Sequence, residues 1–170
     1  NERENISNLI KSIQKLNLQT IICVVDDNSP DKTSEKIETE FKKDLNKKLY
    51  LIKRDKKDGR GGAVLEGFRF SKNIKKFDIY IEMDCDFSHS IEDLQTGIKL
   101  FSENNFDCLL GSRYPDGVII NWPLSRRIFS FFSNVLIRFL ISSKINDYTN
   151  GFRFYNEDAI NIMLNHKPIN

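Results

Sequence analysis

Two aspartates one residue apart, Asp84 and Asp86 in the run Met83-Asp84-Cys85-Asp86-Phe87-Ser88-His89, follow an apolar stretch from Phe77 to Met83. In an α/β domain the carboxyl ends of strands are where ligands bind. Carboxylates so placed suit a hard divalent cation, Mg²⁺ or Mn²⁺, which takes oxygen ligands and is held by one or two carboxylates together with substrate phosphates. A second acidic pair, Asp26-Asp27, ends the β-branched run Thr20 to Val25. Read alone, Asp26-Asp27-Asn28-Ser29-Pro30-Asp31 equally fits a turn that caps a helix. Beside Asp84 and Asp86 it reads as part of a site, with a carboxylate accepting hydrogen bonds from a nucleotide base or ribose.

Cations stand near these carboxylates. Arg113 follows the run Phe106 to Leu110, so it falls at the same end of the sheet. Its guanidinium can clamp phosphate oxygens in bidentate fashion, the preferred reading, or pair with Asp116 or the site's own carboxylates. Arg126, Arg127 and Ser130 open a late helix and form either a second anion site or a solvated face. Gly59-Arg60-Gly61-Gly62 fits neither the dinucleotide fingerprint nor the Walker pattern, since Val64 stands where a third glycine belongs. The glycines read as a tight turn before a helix, with Lys56, Lys57 and Arg60 as solvated charges or minor phosphate contacts. His89 reads as a neighbour that orients or caps, not as a base. Tyr80 and Glu82 read as packing and edge residues, and Trp122 as a loop anchor.

The elements that must position these groups alternate. Ile6, Leu9, Ile10, Ile13 and Leu16 recur at helical spacing ahead of the strand Thr20 to Val25. A helix with Ile37, Phe41 and Leu45 leads to a strand Leu49 to Ile52, and the glycine turn to a helix through Phe70. Then follow strand Phe77 to Met83, helix Ile91 to Phe101 and strand Phe106 to Leu110. Strands apolar on both faces and separated by helices predict an α/β fold with a parallel sheet covered on both sides. The segment Ile128 to Ile141 is apolar but carries Asn134 and Arg138, and is too short to span a bilayer, which takes roughly 20 apolar residues. It reads as an amphipathic helix that covers the core, preferred over one lying on a membrane surface.

Composition narrows the class. With 170 residues, 39% hydrophobic and 29% charged, the chain can bury one real core and is not a disordered polymer. Its 26 basic and 24 acidic residues leave a formal charge of +2, which gives no reason to expect nucleic acid as a partner. Cys23, Cys85 and Cys108 show no C-x-x-C spacing, so they read as small buried hydrophobes in a reducing compartment, not as a zinc or disulfide framework. No secretory leader pattern opens the chain, which begins inside a helix start.

Taken together, Asn1-Glu2-Arg3-Glu4-Asn5, Val24-Val25-Asp26-Asp27-Asn28-Ser29-Pro30-Asp31, the Asp84 to His89 run, Gly111-Ser112-Arg113-Tyr114, Trp122 through Arg126 to Ser130, and Asp147-Tyr148-Thr149-Asn150-Gly151-Phe152-Arg153 resemble the dolichol-phosphate (polyprenyl-phosphate) mannosyltransferases of glycosyltransferase family 2. The motifs occur in family order along almost the whole chain. The resemblance implies a single GT-A (Rossmann-like) domain over residues 1–170, its mostly parallel sheet flanked by helices. It implies an inverting enzyme that moves a hexose, mannose from GDP-mannose in the name-giving members, onto a polyprenyl monophosphate. Glu2, Val25, Asp27, Asp84, Cys85, Asp86 and Arg113 would contact the nucleotide sugar. Asp86 would bind a divalent cation (Mg²⁺ or Mn²⁺), with Ser88 at the second ligand position. Arg126 and Ser130 would hold the acceptor phosphate.

The same resemblance implies a peripheral place on the cytoplasmic face of a membrane, with a membrane-anchoring subunit or a C-terminal anchor as partner. A phosphate monoester is anionic near neutral pH and needs no protein base, so the absence of an obvious base agrees with it. Rival readings are a UDP-sugar donor with glucose or an aminosugar, and a non-catalytic subunit that binds a nucleotide sugar. The family's first strand and its segment beyond Arg153 have no counterpart here, so the chain is expected to be a fragment. Val25 and its apolar neighbours would then lie uncovered, and the 170 residues alone would be unstable or inactive.

Overall fold

A computed structural model describes residues 2–55, 59–114 and 123–166, apart from the side chain of Arg126. Asn1, Lys56, Lys57, Asp116 and Trp122 lie outside the described residues. The elements run α1 (Ile6–Gln14), β1 (Ile22–Asp26), α2 (Thr33–Glu40), β2 (Leu49–Lys53), α3 (Gly59–Ile74), β3 (Tyr80–Glu82), α4 (Ile91–Glu103), β4 (Cys108–Leu110), α5 (Leu124–Leu140), β5 (Arg153–Tyr155) and α6 (Glu157–Asn165).

Local chemistry accounts for most of these elements. Ile6, Leu9 and Ile10 fall on one face of α1 and are buried, as helical spacing requires. In α4 the Ser90 hydroxyl accepts the Asp93 N–H at 2.9 Å, and Glu92 and Asp93 place negative charge on the helix's positive end. Asn156 caps α6 in the same way, accepting from Ala159 N–H at 2.8 Å. Gly97 lets α4 lie on β5, because a Cβ there would collide with the ring of Phe154.

The strands form two groups. β1 and β2 pair in parallel from Ile22↔Leu49 to Asp26↔Lys53. β5 lies between β3 and β4 and is antiparallel to both, with Phe154 opposite Ile81 on one side and Leu109 on the other. The α/β class with flanking helices and a parallel pair is therefore present, while β5 supplies an antiparallel centre that the alternation of strands and helices did not indicate. The strands expected over Phe77–Met83 and Phe106–Leu110 are also shorter. Their ladders extend only as far as the three residues of β5 that pair with them.

Three apolar clusters make the core. Ile10, Val24, Ile37 and Leu49 join α1, β1, α2 and β2. Phe68, Tyr80, Tyr155 and Ile160 join α3, β3, β5 and α6. Leu94, Phe101, Phe152 and Phe154 join α4 to β5. Between β1 and β3, which share no ladder among the described residues, lies a cleft of about 530 Å³ whose walls include Ile10, Val24, Val25, Phe68 and Ile81. Val25 is half-buried on the wall of this cleft. Cys108 departs from expectation: it is exposed, since β4 pairs on one side only, while Cys23 and Cys85 are half-buried.

Candidate active site

The topology brings one edge of the molecule together. The carboxyl ends of β1, β3 and β4, the start of β5 and the first turns of α1 and α3 all meet there, because β5 runs antiparallel to its neighbours. Asp26 and Asp27 divide at the end of β1. Asp26 is buried and accepts from the Ser34 hydroxyl, the structural half of the earlier alternative. Asp27 is half-buried and accepts from Arg54 Nη1 at 2.9 Å, while Arg54 Nε lies 3.0 Å from Glu66. Arg54 was not singled out from sequence. It follows β2, and a parallel neighbour of β1 must end at the same edge.

Beyond β3 the chain turns sharply. Asp86 Oδ1 accepts the Ser88 N–H at 3.0 Å, and between them Phe87 takes φ +58° with its ring partly exposed. That left-handed conformation is costly for a bulky residue and is found mostly where a turn has to aim a side chain. Asp84 sits deeper. Arg60 Nε donates to its Oδ1 at 3.0 Å, and His89 Nε2 approaches Oδ2 at 3.8 Å. Burial alone would raise the Asp84 pKa, but His89 and Arg60 outweigh it and hold the carboxyl below its ordinary value. His89 is buried and stacks on Phe152 with ring centres 4.7 Å apart, and its Nε2 makes no hydrogen bond among the described residues. Burial, reinforced by Asp84, pushes the neighbouring Cys85 thiol up to about 11.

Arg60 corrects the sequence reading. Gly59 opens α3 at φ +76°, the tight turn that the glycines suggested, and Arg60 in that first turn, though exposed, is ion-paired. Helix first turns lack intrahelical partners for their N–H groups, so glycine is cheap to place there. From this turn the guanidinium reaches Glu82, Asp84 and the carbonyl of Gly151. Glu82, taken from sequence as an edge residue, is a buried carboxylate that also accepts from Tyr155 Oη at 3.3 Å.

A second cluster is built around Asp147. Arg113 donates to it through Nε at 2.7 Å, through Nη2 at 2.9 Å and through its backbone N–H at 3.1 Å. Burial of Asp147 works against its charge, but these bonds win and hold its pKa at about 2. Arg113 Nη2 also reaches Thr149 Oγ1 at 2.6 Å. The ion-pair alternative for Arg113 is thus realised, with Asp147 as partner; a role toward phosphate requires the fork to be shared with Asp147 or released from it. Ser130 lies 3.3 Å from Tyr114 Oη and 3.5 Å from Thr149 Oγ1, and Asn134 Nδ2 donates to Asp147 at 3.2 Å. Arg113 and Ser130 are therefore brought together. Arg126 is one helical turn before Ser130 on α5, and its side chain lies outside the described set.

Helix α5 is turned the opposite way from the core-covering expectation. Its buried residues are Ser130 and Asn134, whereas Phe129 is 75% and Phe139 86% exposed, with Phe132, Leu136 and Leu140 exposed beside them. The cause is the loop beneath it. Asp147 and Thr149 need polar partners, and presenting phenylalanines to them would leave a buried carboxylate poorly satisfied.

Asp84 and Asp86 offer carboxylate oxygens one residue apart, the chemistry a hard cation takes, and among the described residues no group of three or more His, Cys, Asp and Glu is placed to hold a metal ion. Glu2 lines the mouth of the cleft beside Asp84, Cys85 and Asp86, and its carboxylate accepts from Asn5 Nδ2 at 2.9 Å.

A parallel pair of strands with flanking helices, an acidic strand-end turn and arginines gathered at one edge define the chain as an α/β domain. The model of glycosyl transferase family 2 matches residues 1–162, and the chain belongs to that family. It is 32% identical over 161 residues to an undecaprenyl-phosphate mannosyltransferase of Micrococcus luteus, covering 94% of this chain and 64% of that protein. It is 34% identical to a polyprenol monophosphomannose synthase of Mycolicibacterium smegmatis, covering 94% and 60%. An uncharacterised protein of Methanocaldococcus jannaschii is 32% identical over 169 residues, covering 96% and 71%. The chain thus spans somewhat less than two thirds of the two named relatives.

Proposed function

We propose that residues 1–170 are the GT-A catalytic domain of a polyprenyl-phosphate hexosyltransferase that moves mannose from GDP-mannose to a polyprenyl monophosphate with inversion. The observation that carries this reading is the meeting of the Asp84–Asp86 turn and the Arg113–Ser130 cluster on one edge, linked by the loop Asp147–Gly151. The relatives' names supply the substrate class.

In this reading Asp27 and Glu2 orient the nucleoside, and Val25 and Cys85 line its seat. Asp86, with Ser88, would hold Mg²⁺ or Mn²⁺, and Asp84 supports them. The cation supplies charge stabilisation to the leaving diphosphate. Arg126 and Ser130 hold the acceptor phosphate, with Arg113 between the two halves. One phosphate oxygen forms a bond to the anomeric carbon as the bond from that carbon to the diphosphate breaks, and the electron pair leaves on the diphosphate. No proton need be removed, so positioning and electrostatics carry the rate.

In this reading a lipid acceptor calls for work at a membrane surface, and the cytoplasmic face is the expected side. The reversed polarity of α5 favours such a peripheral association, and no helix among the described residues is long and apolar enough to cross a bilayer. The test is transfer of labelled mannose from GDP-mannose to polyprenyl phosphate by the full-length protein. Asp86→Ala is expected to lower turnover about 10²–10³-fold, comparable to losing a principal electrostatic group. Unchanged turnover in that variant would overturn the site. A panel with UDP-glucose and UDP-aminosugars separates the donors.

A further inference from the structure

We propose that Arg60 is the resident counter-cation of the acidic turn, a positioning residue that fixes Asp84 and offsets part of the negative charge that a divalent ion and a diphosphate meet there. This rests on the nucleotide-sugar reading above and deepens it.

The geometry is that of a designed seat. The guanidinium bonds three acceptors contributed by separate parts of the fold: Glu82 on β3, Asp84 after it and the carbonyl of Gly151 before β5, the last at 3.0 Å. The seat requires glycine at position 151. A Cβ there would come within 2.6 Å of Arg60 Cζ and 3.1 Å of Asp84 Oδ2. Residue 151 is not in a left-handed conformation, so space for the guanidinium, not backbone strain, is what its missing side chain provides.

Charge counting gives the consequence. Glu82, Asp84 and Asp86 bring three carboxylates to the turn and Glu2 adds a fourth at the cleft, while Arg60 returns one positive charge, so removing Arg60 leaves the turn one charge more acidic. A planar fork suits this task because it can hold two carboxylates and a carbonyl at fixed angles, which a lysine cannot. With 46% of its side chain exposed, Arg60 also presents positive charge toward the mouth where a diphosphate would lie. Without it, the turn would hold a bare cation more tightly and repel a nucleoside diphosphate.

The experiment measures two affinities by titration calorimetry in full-length protein: Mn²⁺ alone, and GDP without metal. Arg60→Met is expected to tighten Mn²⁺ about tenfold and weaken GDP about tenfold, the scale of removing one charge at close range in a partly solvated site. Arg60→Lys should restore most of the GDP affinity, since it returns the charge. Gly151→Ala, which keeps the charge but blocks the seat, should shift Mn²⁺ in the same direction as Arg60→Met by a smaller factor. Two affinities that stay at wild-type values in Arg60→Met, or that fall together, overturn the proposal. Wild-type protein that binds neither probe also overturns it. Opposite shifts without sugar transfer by the wild type leave Arg60 in this role and remove the transferase reading instead.

Discussion

Helices α1 and α5 are both amphipathic, and they sit in the molecule in opposite senses. α1 turns Ile6, Leu9 and Ile10 inward; α5 turns Ser130 and Asn134 inward and leaves Phe129, Phe132 and Phe139 outside. Periodicity announces that a helix has two faces, but the surface beneath decides which face is buried. Under α1 that surface is the apolar wall of α2, β1 and β2, whereas under α5 it is a carboxylate, a hydroxyl and an arginine.

The largest effect expected from this contrast is on α1. Ile10→Ala removes a side chain that is 1% exposed and should cost 2–5 kcal/mol in urea unfolding, the ordinary range for a core truncation. A loss below about 1 kcal/mol would mean that the neighbouring cleft lets the site collapse.

Under α5 the stabilising group is ionic, so acid should loosen it. Asp147 has a folded pKa of about 2, below its unfolded value, so the unfolded chain binds more protons as the pH falls. Its contribution is complete above about pH 4 and disappears as the pH drops toward 2; the shift corresponds to about 2 kcal/mol. Unfolding free energies at pH 5 and pH 2.5 measure it, and Asp147→Asn should remove that part of the slope. An unchanged slope would show that the acid sensitivity lies in other carboxylates.

The smallest stability effect belongs to the outer face of α5. Phe139→Ser should change the unfolding free energy by less than about 0.5 kcal/mol, as expected of a surface position. The same variant should bind phospholipid vesicles less well in a sedimentation assay. A stability loss comparable to that of Ile10→Ala would mean that this face is covered in the full-length protein.

Much of the site's address was legible before any coordinates. A buried run followed by acids placed Asp27, Asp84 and Asp86 at strand ends, and Arg113 after β4 fell on the same edge. What escaped depended on contacts between distant segments. β5 has three residues and no alternation of its own, and it becomes a strand only because β3 and β4 flank it. Arg60 looked solvent-bound because nothing near it in sequence announces Glu82, Asp84 or Gly151. Asp147 was visible as a motif, but its pairing with Arg113 spans 34 residues. The outward face of α5 could not be read without knowing that Asp147 and Thr149 lie beneath it.

The loop from Asp147 to Gly151 also works as a tether. One end carries the carboxylate that holds Arg113 and the other the carbonyl that holds Arg60. Four Cα-to-Cα links of 3.8 Å limit the separation of those ends to about 15 Å even with the loop fully drawn out. The seats on either side can tilt or slide, but neither can travel far without pulling the other with it.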